Sequence, residues 1–122
     1  MNNETREAVQ ELIALGRQQF TLALGNTGQR FEDAVWDITS WRTRITTRDT
    51  ARLYFTRYGT HDQPLPACFA DVVKSWLLLE RGAVESMKNR LMAMRVFWDA
   101  ICQRRGEDAA EFAWKIVCEE DL

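Results

Sequence analysis

Apolar residues recur at alternating steps of three and four through the last third of the chain: Val84, Met87, Leu91, Met94, Trp98 and Ile101. That period puts all six on one side of a helix, predicted over residues 83–103. The other side carries Glu85, Lys88, Asn89, Arg95 and Asp99, with Arg90 on its flank. The helix therefore needs an apolar partner and leaves a polar, partly basic side in water. Residues 67–80 supply that partner, a second helix with Phe69, Val72, Val73, Trp76 and Leu79 on one face and Asp71, Lys74 and Ser75 elsewhere on its surface. Gly82 turns the chain between the two. Arg104 and Arg105 followed by Gly106 form a basic last turn and a stop.

Upstream, Val9, Leu12, Ile13, Phe20, Ala23 and Leu24, with Gly16 in the same stripe, predict an amphipathic helix over residues 4–24, ended by Gly25-Asn-Thr-Gly28. It either docks on a partner or DNA as an arm, or packs on its own domain. The pattern then changes. Ala34-Val-Trp-Asp-Ile-Thr39 and Arg52-Leu-Tyr-Phe-Thr-Arg-Tyr58 are short and rich in aromatic and β-branched residues, which predicts a β-hairpin. Leu53 and Phe55 would face one side, and Arg52, Tyr54 and Thr56 the other. Arg42, Arg44, Arg48, Arg52 and Arg57 interleave with Trp41, Tyr54 and Tyr58. Such a hairpin can track a phosphate backbone or use its arginines to keep a sheet edge soluble. Residues 59–66 read as a linker, with His61 a solvated loop residue and Pro66 opening the next helix. Residues 107–114 predict a further short helix. Residues 115–122 read as an extended step and a new helix start, which suggests that the natural protein continues.

A chain of 122 residues suits one compact domain, and 46% apolar with 28% charged residues is ordinary for a water-soluble one. No apolar run approaches the roughly 20 residues that span a bilayer, and the N-terminus has no leader pattern. The net charge of −2 hides a segregation: residues 40–105 hold twelve Lys/Arg against six Asp/Glu, between two acidic ends. A basic middle is compatible with a DNA-facing surface. Cys68, Cys102 and Cys118 form no CxxC pair and read as buried, reduced thiols of a cytoplasmic protein. The methionines read as core filler. Among motifs, a phosphate loop, a nucleophile elbow and metal-ligand spacing are all missing, so an enzyme contained in these residues is not expected, nor a metal or cofactor.

The run FADVVKSWLLLERGAVESMKNRLMAMRVFWDAI, followed by WKIVCEEDL, resembles the core-binding domain of tyrosine recombinases, the phage-integrase family. Phe69, Trp76, Leu91, Met94, Phe97 and Asp121-Leu122 stand in the corresponding places, while Cys118 replaces the usual Thr or Ser cap. FEDAVWDITSWRTRI and RLYFTRYG look like the N-terminal region of integrases carried by integrative elements. The resemblance implies a mainly α, SAM-like bundle of four to five helices with a small β-hairpin in the N-terminal third. It divides the chain into an N-terminal helix or arm (1–30), a hairpin region (31–60) and a helical core-binding domain (67–122). It also implies that double-stranded DNA at a recombination site is the partner, together with other protomers and a C-terminal catalytic domain that holds the nucleophilic tyrosine outside this chain. Tyr54 and Tyr58 do not match that nucleophile's context. Contacts would come from Lys74, Ser86, Lys88, Asn89, Arg90 and Arg95 on the paired helices, mostly to phosphates, and the interleaved arginines of the hairpin region add Arg42 and Arg44. The competing expectation is a helical protein–protein adaptor, which would show an exposed apolar patch. The DNA expectation needs Lys88, Arg90 and Arg95 to share one open face, unpaired with Glu85 or Asp99.

Overall fold

The computed structural model describes residues 3–42 and 50–118. It is mainly helical with one small antiparallel hairpin in the N-terminal third: α1 (Asn3–Leu24), β1 (Val35–Asp37), β2 (Arg52–Tyr54), α2 (Ala67–Glu80), α3 (Val84–Arg105) and α4 (Glu107–Cys118). A short 3-10 turn, Thr39–Trp41, follows β1. The strands pair Val35 with Tyr54, Trp36 with Leu53 and Asp37 with Arg52. Backbone bonds from Ile38 to the Ala51 carbonyl (2.8 Å) and from Phe55 to the Ala34 carbonyl (2.7 Å) extend the pairing at both ends.

The hairpin's alternation follows from what lies beneath it. Trp36, Ile38, Leu53 and Phe55 are buried, and Arg52 opposite is exposed. Thr56, expected to face outward, is instead buried; its hydroxyl donates to the Thr60 carbonyl at 2.8 Å, closing the turn that follows. Trp36 centres one aromatic nest, with ring centroids of Phe20, Phe31 and Phe55 4.9, 5.7 and 4.7 Å away. Phe69 centres another, with Trp98 and Trp114 each 4.9 Å away. One continuous core joins them, containing Phe20 and Leu24 of α1 as well as the hairpin and α2–α4. The first helix is thus packed on the domain.

Its packing depends on a close approach to α2. A methyl group added at Gly16 would lie 2.6 Å from the Ser75 Cα and closer still to its side chain, so the two helices meet through their smallest residues. The partner face of α2 is consequently broader than its periodicity suggested. Phe69, Ala70, Val73, Lys74, Ser75, Leu77 and Leu78 are buried, whereas Leu79 is exposed. Burial on several sides, against α1, α3 and α4, is what a central helix experiences. In α3 the expected stripe holds: Val84, Met87, Leu91 and Trp98 are buried, and Met94 and Ile101 pack against the core. Gly106, at φ +84°, stops it.

Two expectations are corrected at the C-terminal end. Residues 115–118 continue α4 rather than forming an extended step, with Val117 three positions after Trp114 on the same half-buried face. Cys68 and Cys118 are not free thiols but a disulfide, with Cα atoms 6.0 Å apart, tying the first turn of α2 to the last turn of α4. Cys102 is free. Among the described residues no helix is long and apolar enough to cross a membrane. Arg44, Arg48 and Glu119 to Leu122 lie outside the described residues.

Candidate nucleic-acid interface

Of the eight residues expected to meet DNA, the seven that are described do not form one face. Lys74 is almost fully buried. Its Nζ donates to the Phe31 carbonyl at 2.6 Å and lies 5.1–5.4 Å from the ring centres of Phe31, Trp36 and Phe55. Arg95 is likewise inside: Nε donates to the Thr56 carbonyl at 2.8 Å, and Nη2 to the carbonyls of Arg57 and Thr60 at 3.0 and 3.1 Å. The placement of both on an outer polar face is therefore corrected. Each cation is held by carbonyl oxygens, which compensate its burial. Arg90 folds back along its own helix, with Nε on the Ser86 carbonyl at 3.3 Å, Nη2 on the Arg81 carbonyl, and its guanidinium near the Trp76 ring. Glu85 pairs with both Arg42 (3.4 Å) and Lys88 (3.9 Å). The open cationic face expected of Lys88, Arg90 and Arg95 is absent.

What the fold does assemble is a groove of about 420 Å³ between β2 and the first half of α3. Lys88 and Asn89 line it from the helix and Arg52 and Tyr54 from the strand, with His61 reaching in from the loop beyond. Strand and helix positions explain the grouping. Arg52 and Tyr54, two apart, share the outward face of β2. Lys88 and Asn89 lie one turn past the start of α3, beyond the buried Val84–Met87–Leu91 line. Ser86 and Asn89 are exposed, and Lys88 keeps 39% of its side chain in solvent. The Lys88–Glu85 pair is thus a surface ion pair, worth about 0–1 kcal/mol and easily exchanged for another anion. Among the described residues Glu85 is the only acidic one that lines the groove, against Arg52, Lys88 and the interior Arg95.

The His61 ring sits on Tyr54, centroids 4.0 Å apart and planes 32° from parallel. The sequence predicts a solvated loop residue at this position; nothing local indicates that a residue seven positions on stacks back on the strand. The anchor that makes it do so is Arg95, whose three carbonyl acceptors all belong to the segment between β2 and His61.

A second cavity, about 540 Å³, lies between α1, α2 and α4. Its charges are largely matched internally, Arg17 with Glu32 at 2.8 Å and Arg57 with Glu107 at 2.8 Å. Lys74 borders it. Burial holds its amine down at about 8 from an ordinary 10.5, with Asp71 opposing the shift. Between those two values the unfolded chain binds more protons than the folded one, so stability should rise as pH climbs from about 8 towards about 10.5. Urea unfolding at pH 7.5 and 9.5 checks this. The wild-type midpoint should move up relative to that of Lys74→Met, and parallel behaviour of the two proteins would contradict it.

No protein-family model, curated protein or solved structure matches the chain. Among the described residues no cluster of His, Cys, Asp and Glu could hold a metal ion.

Proposed function

We propose that this chain is the DNA-binding N-terminal part of a site-specific tyrosine recombinase, clamping duplex DNA at the recombination core site, with strand exchange carried out by a catalytic domain outside these residues. The observation that carries the reading is the groove between β2 and α3. There Arg52, the half-exposed Lys88 and the exposed Asn89 amide converge from separate segments on a surface whose one carboxylate among the described residues, Glu85, is already shared between Arg42 and Lys88. The fold also accords with the likeness: a helical bundle with a small hairpin before it. The contact set is narrower than the likeness implied. Lys88, Asn89 and Ser86 remain, Arg52 joins them, and Lys74 and Arg95 serve inside.

On this reading the partners are double-stranded DNA, the same protein's catalytic domain and further recombinase protomers, and the setting is the bacterial cytoplasm. Thiols there are mostly kept reduced, so the Cys68–Cys118 bridge would close only under oxidation.

The test is fluorescence anisotropy with a short duplex at rising salt. Phosphate contacts release counterions, so log Kd should rise linearly with log salt. Lys88→Gln and Arg52→Gln should each weaken binding on any sequence and reduce the slope by about one. Absence of binding even at low salt would remove the proposal. A second reading, a protein–protein module, is favoured by Met92, Val96 and Phe97 on α3 and Phe112 on α4, which are 44–59% exposed. In the recombinase reading that strip is available to the catalytic domain or a neighbouring protomer.

A further inference from the structure

We propose that the Tyr54–His61 pair is a stacking platform for a single unpaired or unstacked nucleobase, so that the groove prefers DNA with a locally opened base over a fully paired duplex. The inference rests on the DNA-binding reading and narrows its ligand.

A pure phosphate clamp has no use for stacked aromatic rings at its centre, because bases inside a duplex show their faces only to each other. Here Tyr54 is half-buried and backs the His61 ring, while His61 itself is exposed and lines the groove. The surroundings suit a base and its backbone. Arg52 and Lys88 offer positive charge for a flanking phosphate, and Asn89 offers both a donor and an acceptor for a base edge. At about 420 Å³ the groove falls within the roughly 300–1,000 Å³ range of small-ligand clefts.

The platform is also preorganised. His61 follows Thr60, whose carbonyl accepts from both Arg95 and the Thr56 hydroxyl. The Thr60 amide donates to Arg57 at 3.2 Å, and its hydroxyl accepts from the Asp62 amide at 3.1 Å. Beyond His61, Arg57 donates to the Gln63 carbonyl at 2.8 Å, and Thr56 bridges to Pro64. Gly59, at φ +84°, supplies the turn that brings the loop back over the strand. A ring fixed on both sides loses little freedom when a base stacks on it, which is the condition under which stacking contributes fully to affinity.

The experiment compares the 122-residue protein's affinity for a fully paired duplex and for the same duplex carrying one central unpaired base, at one moderate salt concentration. The wild type should bind the second about ten-fold more tightly. His61→Ala should erase that preference while leaving the paired duplex within two-fold, and His61→Phe, which keeps a flat ring, should restore it. Circular dichroism establishes that both variants are folded. Equal wild-type affinity for the two duplexes overturns the platform while the DNA-binding reading stands. Equal weakening of both duplexes by His61→Ala overturns it too, since His61 would then act only on loop shape. Binding to neither duplex overturns both readings together.

Discussion

Opening the Cys68–Cys118 bridge should lower stability by roughly 3–4 kcal/mol. The two cysteines are 50 residues apart, so the crosslink removes the loop-closure freedom of a long unfolded segment. The native side explains why α4 feels it most. That helix has one fully buried residue, Ala110, with Trp114, Ile116 and Val117 half-buried and Phe112 largely in solvent. Little apolar burial holds its last turn, and the sulfur link holds it instead. Thermal unfolding with and without a reductant should differ by roughly 12–16 °C. Cys118→Ser should match the reduced protein and ignore the reductant. Amides of residues 115–118 should gain exchange first, as expected of a locally opening end. A melting temperature indifferent to reductant would refute the expectation.

Arg95→Met should cost about 3 kcal/mol although it replaces the side chain's apolar stem with one of similar size. Three carbonyl oxygens take their hydrogen bonds from this one guanidinium. Those of Arg57 and Thr60 retain a second donor, the Thr60 amide and the Thr56 hydroxyl respectively. The Thr56 carbonyl is left with none among the bonds seen in the described residues. A buried acceptor without a donor loses about 1–3 kcal/mol, and bonds to a charged donor are the stronger kind. Arg95→Lys should recover only part of the loss, because an ammonium cannot reproduce the planar fork. Hydrogen exchange should quicken across residues 56–63 and leave α1 and α2 unaffected. A variant as stable as the wild type would show that the loop holds itself.

Much of this architecture is written in periodicity. The three- and four-step recurrence from Val84 to Ile101 located α3, and the aromatic and β-branched clusters located both strands. Periodicity failed where the environment is not two-sided. Near-continuous apolar residues in α2 signal a helix surrounded by protein, and in that setting Lys74 can only be an interior lysine with a partner. Arg95 carried a comparable signal: it stands four residues after Leu91 and three before Trp98, next to the buried line rather than opposite it. Reading basic residues as surface residues missed both. The disulfide depended on α4 running as far as Cys118, which a boundary placed at Trp114 could not foresee. The Tyr54–His61 stack depended on a turn held by that same misplaced arginine. The site was thus legible as residue types, Arg52, Lys88 and Asn89, but not as a groove.

The aromatic enclosure of Lys74 also gives the protein a chemical stopwatch. Of its three lysines, Lys88 and Lys115 are accessible in the folded state, while Lys74 is shut between three rings and a carbonyl oxygen. An amine-reactive ester should therefore tag two side chains at once and the third only when the domain opens. Peptide-level mass spectrometry of the Lys74 tag against time would then read the opening rate where tagging outpaces reclosing and the open population where it does not, with Lys88 and Lys115 as internal standards.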